Sequence, residues 1–341
     1  MKTSLLFCMG ILFSPGVRGQ VADFAHADFT RADSIAELYA GYSLKNLQSL
    51  ADKLTKPLST EEEKFSAIYK WVCNNIEYDN ALYLQHKNKR GKFKSTQELT
   101  EWNKKFSAHV FKTLLEKHRT VCTGYAYLVR ELSSHAGLRC RIVDGYGRTS
   151  QSNIRGSGNA NHSWNAIQLN HTWYLCDATW SSGSVDADGN YIKKYDDSYF
   201  LADPGLFVRN HYPLDSTWML LDCKQTLKEF LNGPLIYSSA FRYNIEQVFP
   251  STFDIKTAKG KAISFTFTTK NNTIIEKAEL YIKRSVITSF VSPEIYSDPV
   301  RSMDQATKLY RMDYTFTAKG THVVHILLNN SYAFTYTVKV E

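Results

Sequence analysis

Three side chains able to share one nucleophilic reaction stand in a fixed order along the chain: Cys122, then His162, then Asp177. A thiol attacks a carbonyl carbon as its thiolate, and it needs a neighbouring base and a group that orients that base. Cys122 opens the segment Thr120–Leu132, whose apolar positions repeat at helical spacing and which Gly137 can stop. A helix start favours a thiolate through its dipole, and its free N–H groups can hold a developing oxyanion. Gly124 reads as room for a substrate to approach the backbone. A free cysteine is also often a buried apolar side chain, so Cys122 alone leaves both readings open.

His162 and Asp177 narrow the choice. His162–Leu169 and Thr172–Thr179 read as two strands joined at Asn170-His171, a hairpin signal. That turn sets His162 opposite Thr179 and makes Asp177 a diagonal neighbour on the same face. A carboxylate there reaches the imidazole, fixes its tautomer and stabilises the imidazolium. Trp164 and Trp173 are expected to cover the site. His211 either lines the cleft or, as His-x-Pro, packs a turn.

The elements that must position these groups follow from spacing. Residues 20–58 read as a helical lead-in, with Ile35, Leu38, Leu44, Leu47, Leu50 and Leu54 recurring, and Pro57 ends it. Ser59 and Thr60 then cap a helix with an acidic first turn, whose apolar face is Phe65, Ile68, Tyr69, Val72 and Ile76. The run His86–Lys94 carries Lys87, Lys89, Arg90, Lys92 and Lys94 and reads as a solvated loop, or as a strip for acidic polymers. Phe106, Val110, Phe111, Leu114 and Leu115 mark another helix. Arg139–Tyr146 reads as a strand, and the polar, glycine-rich Gln151–Gly158 as a loop. From about residue 240 helical patterns give way to alternation, as in Ile263–Thr268, Tyr314–Thr317 and Tyr332–Val340, which predicts a small antiparallel sandwich.

Composition bounds the class. A chain of 341 residues with 43% hydrophobic content suits two domains with sizeable cores. Lys2, the apolar run Leu5–Phe13 and Val17-Arg18-Gly19 read as a signal peptide cleaved before Gln20. Cys8 inside that run speaks against lipidation, and no later segment is long and apolar enough for a permanent anchor. The expectation is an exported protein. The full chain's net charge of +8 falls to +6 once Lys2 and Arg18 leave with the leader, which is modest, and no nucleic-acid module is legible. Of 6 cysteines, Cys8 leaves with the leader; Cys73, Cys122, Cys140, Cys176 and Cys223 remain, an odd set with at least one unpaired thiol. Asp186-Ala187-Asp188-Gly189 lacks a full calcium-loop series and reads as a plain turn. No zinc spacing or phosphate loop is present, so neither a metal nor a cofactor is expected.

Val121-Cys122-Thr123-Gly124-Tyr125-Ala126, His162-Ser163-Trp164-Asn165 and Trp173-Tyr174-Leu175-Cys176-Asp177-Ala178-Thr179-Trp180 together resemble the three blocks of the transglutaminase-like superfamily. Tyr69–Asp79 resembles the helix upstream of the nucleophile in kyphoscoliosis-peptidase-like secreted bacterial members. Tyr199–Pro204 with His211–Asp215 resembles their tail. The likeness spans roughly Ser59–Leu221; the segment Glu116–Thr120 lacks the glycine expected before the Val-Cys pair. The resemblance implies an α+β fold: a papain/transglutaminase-like core of helices on an antiparallel sheet, followed by an all-β immunoglobulin-like sandwich. The domains are then a leader (1–19), the lead-in (20–58), the core (59–235) and the sandwich (236–341). It implies a catalytic Cys122–His162–Asp177 triad, with Trp71, Tyr78, Gly124, Tyr125, Trp164, Trp180 and His211 as cleft candidates. The expected activity is a secreted cysteine peptidase or amidase that forms a thioester. Its partner would be a protein or peptide, possibly a cell-wall peptide, with no nucleic acid and no stable membrane anchor. The alternatives are a non-catalytic binding protein that keeps the fold, and a transglutaminase that joins protein glutamine to an amine.

Overall fold

The computed structural model describes residues 21–90, 92, 96–154, 160–270, 275–285, 294–296, 303–304 and 309–341. The expected leader (1–19) and part of the Gln151–Gly158 loop lie outside the described residues. The lead-in forms two helices, α1 (Thr30–Leu38) and α2 (Leu47–Thr55). Leu38, expected on the apolar face, is 73% exposed because the helix ends there.

Helix α3 (Glu61–Asn75) begins at a capping box: the Glu63 N–H donates to Thr60 Oγ1, and Glu63 Oε2 accepts from the Thr60 N–H. The expected single apolar face is too narrow a description. Phe65, Ala67, Ile68, Tyr69, Trp71, Val72 and Cys73 are all fully buried, so α3 is packed on most sides, against α1 and α2 among others. Burying each large apolar side chain contributes about 1.5–3 kcal/mol.

Strand β1 (Glu77–Tyr78) pairs in parallel with β2 (Arg119–Thr120), which leads directly to the nucleophile candidate. Between them lie α4 (Asn80–Arg90) and α5 (Thr96–Lys117). The basic run is therefore helical over His86–Arg90 rather than a loop, because the turns of α4 continue from Asn80. On α5, Leu115 is 40% exposed and stands off the expected apolar side. His118 takes φ 51 at the turn from α5 into β2, the left-handed region that usually favours glycine.

Helix α6 (Cys122–His135) packs on a four-stranded antiparallel sheet. Its strands are β3 (Arg139–Gly147), β4 (His162–Leu169), β5 (Thr172–Cys176) and, after the small β6 (Gly183–Val185)–β7 (Tyr191–Lys193) hairpin, β8 (His211–Pro213). The order is β5-β4-β3-β8. The β4–β5 register pairs Leu169 with Thr172 and Asn165 with Cys176, and Asn170 (φ 49) and His171 (φ 67) make the two-residue turn that fits strand twist. Strand β4 is covered on both faces. Ile167 and Leu169 join the helical core, whereas Trp164 and Ala166 join Leu175, Phe207, Phe241 and residues of the C-terminal domain in a second apolar cluster.

That C-terminal domain is a β-sandwich. One sheet contains Ile245–Phe249, Ala262–Thr269, Leu309–Thr315 and Met303–Asp304. The other contains Asp254–Thr257, Ser331–Val340, Gly320–Leu328, Ala278–Ser285 and Glu294–Tyr296. Leu235–Ile236 pairs with Thr335 and Phe334 at the edge of the second sheet, so the sandwich recruits residues at the expected boundary. The buried Arg148 guanidinium, just past β3, ties the core to this junction by donating to the carbonyls of Asn153, Ile154, Leu231 and Pro234. Among the described residues no helix is long and apolar enough to cross a membrane.

Candidate active site

Cys122 is the first residue of α6, behind an N-cap, Val121, that offers no side-chain cap. The Gly124 and Tyr125 N–H groups both donate to Val121 O. Helix geometry leaves the Cys122 and Thr123 N–H groups outside the α6 ladder. The helix is fixed at several points. Tyr125 Oη donates to Ile76 O (2.9 Å), and Asn165 Nδ2 donates to Ala126 O (2.9 Å). The second bond joins the helix of Cys122 to the strand of His162.

His162 opens β4. A Cβ on Gly147, across the β3 edge, would lie 2.9 Å from His162 Cβ, so only glycine lets the imidazole sit there. His162 Nε2 donates to Asp177 Oδ2 at 2.7 Å, since a carboxylate only accepts. With Nε2 engaged, Nδ1 is the ring nitrogen left to meet the Cys122 thiol, which is among the groups that raise this imidazole. Burial works against a charged His162, but the Asp177 carboxylate and the thiol contact outweigh it and push the imidazole up to about 10. Burial likewise opposes a charged Asp177, yet the two histidines beside it hold its carboxyl well below the usual carboxylate range.

Asp177 is not on β5 but one residue past it. It is the N-cap of α7 (Ala178–Ser182), and its Oδ1 accepts from the Thr179 N–H at 2.8 Å. The hairpin register is as the turn predicts, but the chain bends into a helix before it reaches the expected partner position. That bend turns the carboxylate toward the ring.

His211, on β8 opposite Gly147, is buried behind the site, and its Nε2 donates to the same Asp177 Oδ2 at 3.0 Å. It does not line an open cleft. Burial holds its imidazole down to about 4. Trp180 lies over the other side, its ring 5.3 Å from that of His162 and 4.3 Å from that of His211. Trp164 is buried beneath both imidazoles, 5.9 Å and 5.1 Å away.

Several cleft candidates fall elsewhere. Trp71 is fully buried and donates Nε1–H to Tyr39 O in the helical core, and Tyr125 is likewise an interior tie. The side of Gly124 that was expected to admit substrate faces Thr120, whose Oγ1 would sit 1.8 Å from an added Cβ, so this glycine serves packing. Trp173 packs on Trp218 instead of covering the site. Tyr78 is near enough to Cys122 to feel it electrostatically: burial pushes its phenol up, and Cys122 adds to the effect. Tyr83 of α4 feels Cys122 in the same way and had no signal in the sequence. Asn165 and Gly147 were also missed as positioning residues, because their roles depend on the stacking of β3, β4 and α6.

The five described cysteines are all free thiols. Burial pushes Cys73 and Cys176 far up and Cys140 to about 12, so these are neutral packing thiols. His162 Nε2, Asp177 Oδ2 and His211 Nε2 converge within 4.8 Å, close enough to be considered as ligands for a metal ion. Separations of 2.7 and 3.0 Å from the shared oxygen are hydrogen-bond lengths, so protons account for the cluster. The Asp186 turn carries Asx bonds from the Asp188 and Asn190 N–H groups and closes the β6–β7 hairpin.

Residues 48–178 match the family model of the transglutaminase-like superfamily, and the matched span contains Cys122, His162 and Asp177. The chain is 34% identical over 219 residues to human kyphoscoliosis peptidase, a match covering 63% of this chain and 30% of that protein. It is 26% identical over 236 residues to Drosophila melanogaster hillarin, covering 64% of this chain and 26% of hillarin. The chain thus spans about a third or less of the length of these curated relatives. A crystal structure described as a TGase is similar over 50% of this chain and 37% of its own, at 16% identity and a TM-score of 0.29.

Proposed function

We propose, from the premise that residues 48–178 form a transglutaminase-like domain, that this chain is a cysteine peptidase or amidase working through a thioester on Cys122. The observation that carries the reading is the 2.7 Å His162–Asp177 bond on one side of an imidazole whose other side meets a thiol at a helix start. That arrangement supplies nucleophile, base and orienter.

The steps balance as follows. His162 Nδ1 holds the thiol proton, leaving a thiolate stabilised by the α6 dipole and by the imidazolium. The thiolate adds to an amide or isopeptide carbonyl, and the Cys122 and Thr123 N–H groups face the oxygen that gains charge. The tetrahedral adduct collapses; the C–N bond breaks, and His162 passes its proton to the departing amine. Neutral His162 then takes a proton from water, whose oxygen attacks the thioester carbonyl; the C–S bond breaks, which releases the acid and returns Cys122 as thiolate beside a protonated His162. Asp177, kept ionised, stabilises the imidazolium in each half-reaction. The likeness to a protein named a peptidase favours water as the acceptor. An amine in its place would make the same thioester an intermediate of cross-linking. We also propose that the chain is exported, on the leader pattern of residues 1–19, and that its substrate is a protein or peptide, with cell-wall peptides one such class.

The test has two stages. Iodoacetamide at mildly acidic pH should label Cys122 far faster than Cys223, the exposed cysteine, and Cys122→Ala should abolish the fast phase. If the fast phase survives in that variant, the reading fails. Mass spectrometry of a glutamine peptide, incubated with and without a primary amine, then separates hydrolysis from transamidation. Labelling without either product would point to a binding protein that has kept the fold.

A further inference from the structure

The carboxylate behind His162 serves two imidazoles, and a simple orienting group needs only one. Asp177 Oδ2 accepts from His162 Nε2 (2.7 Å) and from His211 Nε2 (3.0 Å), while Oδ1 accepts from the Thr179 N–H. Both carboxylate oxygens are engaged, so the carboxylate cannot rotate without breaking a bond to β4, β8 or α7. His211 itself sits in an aromatic box. Phe207 stacks on it at 4.0 Å, with Trp180, Trp164 and Tyr199 at 4.3, 5.1 and 5.8 Å.

The protonation state of His211 follows from its partners. Its Nε2 must carry a proton, because Asp177 only accepts. Its Nδ1 lies 2.6 Å from Oδ1 of the buried Asn210, whose Nδ2 is 3.4 Å from Tyr199 Oη. If Asn210 presents its oxygen, Nδ1 must also be protonated, and a second imidazolium is confined in an aromatic box beside His162. If the amide is turned, its NH₂ donates to a bare Nδ1 and its oxygen accepts from Tyr199 Oη. That orientation satisfies all three groups with no buried charge, and oxygen and nitrogen of an amide are told apart only by such a network.

We propose that His211 is a positioning residue: a neutral imidazole, held by Asn210 and Tyr199, that locks the Asp177 carboxylate toward His162 from behind. This rests on the reading of Cys122, His162 and Asp177 as a reactive group. It adds that only one of the two histidines on Asp177 carries charge, so the proton inventory of the site is set by an asparagine that touches no substrate.

Nitrogen-15 NMR of the histidine-labelled full chain tests the state directly. The His211 Nδ1 resonance should lie in the unprotonated range from pH 5 to 9, and Nε2 in the protonated range; a protonated Nδ1 overturns the proposal. The pH profile of Cys122 alkylation tests the role. His211→Phe keeps the aromatic packing and removes the donor, and its profile should shift by about one pH unit relative to wild type. His211→Gln keeps a donor and should restore most of the wild-type profile. Asn210→Asp places a carboxylate on Nδ1, charges His211 and should move the His162 limb to lower pH. If wild-type Cys122 labels fast and all three variants keep its profile, the role of His211 is refuted while the proposed function stands. If wild-type Cys122 shows no fast labelling, the proposed function fails, and the NMR state alone decides the protonation claim. Should His211→Phe fail to fold, the Gln and Asp variants still decide between the outcomes.

Discussion

Strand β4 and the sandwich strand Ala262–Thr269 have the same length but obey different rules. In the sandwich strand Ile263, Phe265, Phe267 and Thr269 are buried, while Ala262, Ser264, Thr266 and Thr268 are more exposed. In β4 every residue from Ser163 to Ile167 is buried, because α6 covers one face and the Phe207–Phe241 layer the other. A strand with one covered face can carry polar side chains wherever they point outward. A strand with two has less room for them, and three polar side chains of β4 have specific partners: His162 has Asp177, Ser163 has Asp144 and Asn165 has Ala126 O, whereas the buried Trp164 indole N–H has none. The sandwich derives its stability from apolar alternation, whereas the core holds a set of polar groups that must be satisfied together.

The contrast can be broken most sharply at the core. Asp177→Asn should lower the alkylation rate of Cys122, and any turnover, by about 10²–10⁴-fold by offering the wrong hydrogen-bond partner to His162. Stopped-flow labelling measures it; a change under threefold would mean that the carboxylate does not orient the base. Phe265→Ala in the sandwich should instead cost about 3–5 kcal/mol in denaturant unfolding through the cavity it leaves. The labelling rate of the folded fraction should stay unchanged, and a parallel loss would tie the sandwich to the site.

Stability against pH sharpens the comparison further. The raised His162 contributes stability that is full below its unfolded value near 6.5 and fades as pH rises toward about 10. The depressed Asp177 contributes stability that is full above roughly 3.9 and fades as pH falls below it. The buried His211, held down to about 4, adds stability that is full above about 6.5 and fades as pH falls toward 4, so the melting temperature should peak near pH 6.5, and Asp177→Asn should flatten the alkaline limb. Identical wild-type and variant curves would rule out the buried ion pair. The smallest effect belongs to the sandwich surface. Arg311→Ala removes a half-exposed pair with Asp313 and should change stability by about 0.5 kcal/mol or less.

Much of the site was legible in the residues. The Asn170-His171 turn set the β4–β5 register, and the spacing of Thr120–Leu132 placed Cys122 at a helix start; both depend on neighbours close in sequence. The exceptions are equally specific. Asp177 was expected on a strand and caps a helix, since the local bend depends on the Asp177–Thr179 bond and on the Tyr199 segment that meets the Asp177 N–H. The basic run was expected to be a loop and is helical through Arg90. Trp71, Tyr125 and Gly124 carry motif chemistry by type but face the core.

The sequence by itself determined the order and identity of the thiol, imidazole and carboxylate, the hairpin that brings two of them near, and the division into a helical–sheet core and an alternating β domain. These are properties of periodicity and short-range turns. Only the tertiary structure decided that His211, 34 residues beyond Asp177, shares its carboxylate, that Gly147 makes room for the imidazole, and that Trp180 rather than Trp173 covers it. Such contacts arise where β3, β4, β8 and α7 converge, and no local pattern encodes which side chains meet across that distance.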